Sequence, residues 1–150
     1  MATTLITASS FTTGVSWTPA AAGDSLFVAE GVTWGSSNGN IVNSSFSNLS
    51  AAIMGSVVAT VGSIIMSGNN ANVHIGQTGS FTSFYDYTTS GAVFFGDNAS
   101  LVNEGEIYTP GMVAVVTLGN GAIVNTGSIT ALGNGVMLNL FGASGSSLVN

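Results

Sequence analysis

The chain of 150 residues contains no cysteine, no lysine and no arginine, and it holds one histidine (His74) and two prolines. Without cysteine there can be no disulfide, no thiolate metal site and no thiol nucleophile. Without lysine or arginine the chain has nothing to neutralise phosphate. That excludes nucleic acid, anionic lipid and phosphorylated substrates as partners. Six acids (Asp24, Glu30, Asp86, Asp97, Glu104, Glu106) leave a net charge of −6, so any favoured small partner is a cation. No apolar run approaches the eighteen or so residues of a membrane span, so no membrane insertion is expected. The opening Met1-Ala-Thr-Thr-Leu-Ile-Thr7 lacks the basic and long apolar regions of a cleavable export signal. Export would then need a signal already removed, or another route.

What the chain has instead is 45% hydrophobic residues, far too many for a disordered acidic segment. The polar surface must come from Ser, Thr, Asn and Gly, which are neutral hydrogen-bonding groups. Short runs rich in β-branched and aromatic residues recur, such as Ile64-Ile-Met66, Val93-Phe-Phe95 and Val113-Ala-Val-Val116. Gly/Asn clusters close them, among them Gly68-Asn-Asn70, Gly96-Asp-Asn98 and Gly119-Asn-Gly121. Runs and clusters of this kind predict strands joined by tight turns. No window carries helical periodicity, and 21 glycines argue against long helices.

The runs belong to a repeat. Leu101-Val-Asn-Glu-Gly-Glu-Ile107 matches Ile123-Val-Asn-Thr-Gly-Ser-Ile129, and Leu148-Val-Asn150 opens a further copy. Weaker versions are Ile41-Val-Asn-Ser-Ser-Phe46, Val61-Gly-Ser-Ile64 and Thr78-Gly-Ser-Phe81. Marker positions 44, 62, 79, 105 and 127 give intervals of 18, 17, 26 and 22. The expected fold is all-β: a single-stranded parallel β-helix (β-solenoid) with irregular coils of about 17–26 residues. In stacked coils Phe46, Ile64, Phe81, Ile107 and Ile129 would form one inward ladder, and Leu101, Ile123 and Leu148 another. Asn43, Asn103, Asn125 and Asn150 share one motif position, where amides can stack as a hydrogen-bonded ladder. Asn that merely ends a strand is the plainer account. Residues 1–35, with Trp17, Trp34 and Pro19, are expected as opening coils or a cap, and 36–150 as the repeats. An aromatic-rich loop is expected near 81–88.

The pattern hydrophobic-Val-Asn-x-Gly-x-Ile, followed by Gly135-Val-Met-Leu138, resembles the β-strand repeats of large bacterial secreted proteins. These are the type I-secreted, RTX-like adhesins and the β-helical passengers of autotransporters. Ala22-Gly-Asp-Ser-Leu-Phe-Val-Ala-Glu-Gly-Val-Thr33 also looks like the start of such a region. The resemblance covers most of the chain and implies a parallel β-helix that is extracellular or bound to the bacterial surface. The glycine-aspartate nonapeptide that binds calcium in RTX proteins is missing, so calcium binding is not carried over.

Chemistry is scarce. A β-helical lyase needs a basic residue, and glycoside hydrolysis needs two carboxylates across a cleft. Glu104 and Glu106, two residues apart on an expected strand, would share a solvent-facing side, so no enzyme and no cofactor are expected. Asp97, Glu104 and Glu106 offer oxygen ligands for a weak Ca²⁺, though a turn and a solvated face account for them. His74 alternates with Val73 and Ile75 and should point outward without a partner. Asn43-Ser-Ser45, Asn48-Leu-Ser50 and Asn98-Ala-Ser100 are sequons that a Ser/Asn-rich chain contains by chance. Tyr85 and Tyr87 could stack on glycans, with plain hydrophobic filling the simpler role. The half-repeat at Leu148-Val-Asn150 leaves a coil open, and a second copy stacked head to tail would close it. The expected function is a self-assembling, non-enzymatic extracellular fibre subunit. The alternative is a stalk segment of a larger secreted adhesin.

Overall fold

A computed structural model describes residues 1–84, 92–111, 113–137 and 145–150. Among them the chain is all-β with no helix, wound as a parallel β-solenoid of about six turns. Three sheets of seven, six and five strands run along the axis, and each coil between Ser25 and Met137 contributes one strand to each sheet. The first face holds Thr3–Ile6, Ser25–Val28, Ser50–Ile53, Asn72–Ile75, Ala99–Asn103, Gly121–Asn125 and Ser147–Val149. The second holds Ser10–Thr12, Thr33–Ser36, Ser56–Ala59, Ser80–Ser83, Glu106–Tyr108 and Ser128–Thr130. The third holds Val42–Ser44, Ile64–Met66, Val93–Phe95, Val113–Thr117 and Asn134–Met137, and Trp17 adds one further bridge to Val42.

Register is unbroken along the first face: Thr3, Ser25, Ser50, Asn72, Ser100, Ala122 and Ser147 stand in one column. Successive coils therefore take 22, 25, 22, 28, 22 and 25 residues. The shorter intervals visible in the sequence arise because its markers at 44 and 62 mark different places in the coil from those at 79, 105 and 127.

Strand alternation sends one side chain in and the next out, and the inward columns are the core. On the first face Leu26, Ala51, Val73, Leu101, Ile123 and Leu148 stack in one column. On the second, Trp34, Val57, Phe81, Ile107 and Ile129 stack. On the third, Val42, Ile64, Val93, Val115 and Val136 stack. Phe81, Phe95, Ile53, Ile75 and Leu101 are fully buried, each worth about 1.5–3 kcal/mol of transfer free energy. Trp17 and Trp34 are buried in the first two coils, and Thr3–Ile6 already pairs with Ser25–Val28, so the opening residues belong to the stack.

The corner between the first and second faces explains the glycine of the repeat motif. Ser80 N donates to Gly55 O (2.9 Å), Glu106 N to Gly79 O (3.1 Å) and Ser128 N to Gly105 O (2.8 Å). At this spacing a methyl group on Gly79, Gly105 or Gly127 would collide with the carbonyl oxygen of Ile53, Gly79 or Gly105 beneath it. Only glycine lets the backbones approach this closely.

Candidate functional site

Asn103 and Asn125 pair in register and both point into the core, and Asn103 is completely buried. Asn103 Nδ2 donates to Asn125 Oδ1 (2.7 Å) and to Ser128 O (3.0 Å), and Asn125 Nδ2 donates to Asn150 Oδ1. Three of the four motif asparagines thus form one amide ladder. Below Asn103 the same column is apolar, through Ile75, Ile53, Val28 and Ile6. Ile75 has no donor to offer, and Asn103 Oδ1 is buried without a partner. Asn43 does not join this ladder. It lies exposed on the third face beside Ile65, because Ile41-Val-Asn-Ser-Ser-Phe46 has no glycine to make the corner.

The aromatic and aliphatic markers divide in the same way. Phe81, Ile107 and Ile129 share a column, whereas Ile64 belongs to the third face between Val42 and Val93. Phe46 follows the first strand of that face and is 42% exposed, so it stands in no ladder. Phe81–Ser83 are strand residues rather than part of a loop. Tyr85 and Tyr87, with the rest of the expected aromatic loop from 85 on, lie outside the described residues.

Two further asparagine pairs, which no repeat motif marks, occupy the corner between the third and first faces. Asn48, Asn70 and Asn98 have φ of 60°, 59° and 54°, the left-handed region that Asn tolerates better than other side chains. Asn70 Nδ2 donates to Asn48 Oδ1 (3.1 Å), and Asn120 Nδ2 to Asn98 Oδ1 (3.4 Å). Each is followed by a buried residue (Leu49, Ala71, Ala99) and then by a residue of the outward polar column. The triplets Asn48-Leu-Ser50 and Asn98-Ala-Ser100 are therefore corner geometry. The recurrence of Asn-(Leu/Ala)-(Ser/Asn) is the signal that would have found it.

The acids are dispersed. Asp97 sits at the same corner, where its Oδ1 accepts from Asn98 N (2.9 Å) and Asn120 N (2.8 Å). Glu104 lies across the first face from it. Glu106 begins the second-face strand, in the column of Ser80 and Ser128. Gly105 turns the corner between the two glutamates, so they do not share a strand. Among the described residues no three of His, Asp or Glu gather as metal ligands. His74 points outward but is not alone: its Nε2 lies 3.3 Å from Glu104 Oε2, one coil away and 30 residues on. Asp24 is 5% exposed and is the one buried acid among the described residues. It accepts from Ala2 N (2.7 Å), Ala20 N (2.9 Å) and Ala21 N (3.0 Å). The bond from Ala2, then those from Ala20 and Ala21, hold its pKa below the usual carboxylate value against the opposing effect of desolvation.

A trough of about 390 Å³ lies on the outer side of the first face. One outward column there is polar: Thr3, Ser25, Ser50, Asn72 and Ser100. The other is mostly apolar: Leu5, Phe27, Ala52, His74, Val102 and Val124. Ala52, the smallest of that column, lines the trough between Phe27 on one side and His74 and Val102 on the other.

No helix among the described residues is long and apolar enough to cross a membrane. Comparison with protein-family models, with curated proteins and with solved structures finds no match for this chain.

Proposed function

We propose that the chain is a non-enzymatic structural subunit that stacks end to end into an extracellular fibre or matrix. The observation that carries this reading is that all three sheets direct their inter-strand hydrogen bonds along one axis, so unsatisfied backbone is concentrated on the end rungs. Thr3–Ile6 and Ser147–Val149 each have one neighbouring strand, and neither they nor Ser10–Thr12 contain a charge or a proline. Those are the features that normally keep sheet edges from pairing. Leu5, Phe11, Leu148 and Val149 are exposed near these rungs and would be covered by a stacked copy. Head-to-tail contact of this kind does not close on itself and yields a filament. The bacterial cell surface as its setting rests on the resemblance of the repeats, together with a neutral Ser/Thr/Asn surface free of cysteine.

Negative-stain electron microscopy at rising protein concentration tests the proposal. Unbranched filaments are expected from the unaltered chain. A Leu5→Lys/Val149→Lys variant, charged on both edges, should stay as discrete particles with an unchanged circular dichroism spectrum. Discrete particles from the unaltered chain at every concentration would overturn the proposal and favour a stalk segment of a larger adhesin.

A further inference from the structure

We propose that the trough on the first face binds a neutral glycan, with one sugar ring seated on Ala52 against the ring of Phe27. Three observations meet there. First, Phe27 and His74 flank Ala52 in register, one rung to either side. Rungs repeat at about 4.8 Å, so the two rings stand roughly 9.6 Å apart with only a methyl group between them. After the thickness of the flanking side chains is subtracted, the gap accepts one ring edge-on and no bulkier group.

Second, the same strands carry hydroxyl and amide groups beside the gap. Ser25, Ser50, Asn72 and Ser100 line the trough, two residues along from Phe27, Ala52, His74 and Val102. Along a strand that offset is about 6.6 Å, within reach of substituents on a ring standing over Ala52. A pyranose presents C–H groups on its faces and hydroxyls around its rim. The trough offers the aromatic side chain of Phe27 for the former and donors and acceptors for the latter.

Third, the lining carries no carboxylate or fixed cation. Its one titratable group, His74, is engaged by Glu104 at 3.3 Å. An anionic ligand would find no countercharge in a chain without Lys or Arg, and a purely apolar ligand would leave the polar column unpaired. A neutral polyhydroxylated ring satisfies both columns. The trough reaches Thr3 on the first rung, but the sugar position over Ala52 lies two rungs in on the side of the rod, so this binding does not depend on end-to-end stacking.

The test uses hexasaccharides of glucose, mannose and N-acetylglucosamine, titrated into the full isotope-labelled chain and followed by NMR. At least one is expected to bind, with shifts centred on Phe27, Ala52 and His74. Ala52→Ile fills the gap with a β-branched residue suited to an outward strand position, and it should weaken binding at least tenfold without lowering the melting temperature. Phe27→Ala should weaken it comparably. Failure of all three sugars to bind at millimolar concentration would overturn the proposal. So would unchanged affinity in Ala52→Ile, or shifts that map elsewhere. A change in sedimentation on filling the trough, without sugar binding, would reassign this face to contact between copies.

Discussion

Asp24 shows how much a single side chain can do in a chain with so few charges. Its carboxylate ties Ala2, at the start of the first coil, to the turn at Ala20 and Ala21, and so fastens the first coil to the second. Its pKa is lower folded than unfolded, so the unfolded chain binds the proton more readily. Stability from this group is complete above about pH 3.9 and is lost as the pH falls through the lower folded value. Urea unfolding between pH 7 and pH 2 should show this loss, and Asp24→Asn should flatten that part of the profile. Identical profiles for the two proteins would remove Asp24 as the cause. In the sequence Asp24 is one acid among six. Nothing local marks it, because one of its three partners lies 22 residues away across a coil.

At the scale of the strand and the corner, legibility followed the glycine. Leu101 to Ile107 and Ile123 to Ile129 each span two faces across the corner, so their ends fall in separate columns and the repeat is visible as a unit. Ile41 to Phe46 begins in the same way but lacks the glycine, and its residues lie on the third face, where Asn43 and Phe46 have no ladder to join. The trough was not legible for a related reason: Phe27, Ala52 and His74 share no motif and meet only through register. The corner glycines allow a sharp comparison. Gly105→Ala places a methyl group against the carbonyl oxygens of Gly79 and Gly76, while a methyl group at Gly14 meets nothing. Denaturant titration should find Gly105→Ala destabilised by about 1–3 kcal/mol, as overpacking is. Gly14→Ala should stay within about 0.5 kcal/mol of the parent. Equal costs would mean that the corner can open without strain.

For the molecule as a whole, stability is a sum over coils and their contacts with neighbours. The middle coils are covered on both sides, and the fully buried Ile53, Ile75 and Phe81 lie there. Residues in Thr3–Ile6 and Ser147–Val149 are largely exposed. Native-state hydrogen exchange of dilute, unstacked protein should therefore show protection greatest between Ile53 and Leu101 and falling toward both ends. If copies stack end to end as proposed, the ends should gain protection at high concentration and the middle should not. Uniform protection along the dilute rod would instead mean that the coils open only together.

Coil length and coil rise are independent in this molecule. Between the second and third faces the chain goes from Ser56 to Ile64 in one coil and from Ser80 to Val93 in the next, yet both coils keep the same register on every face. The longer connection does not lengthen the rod. The solenoid therefore works as a ruler with pegs. Foreign segments inserted at this corner would be displayed at fixed multiples of one rung, and variation between related rods could accumulate there without changing the axial repeat.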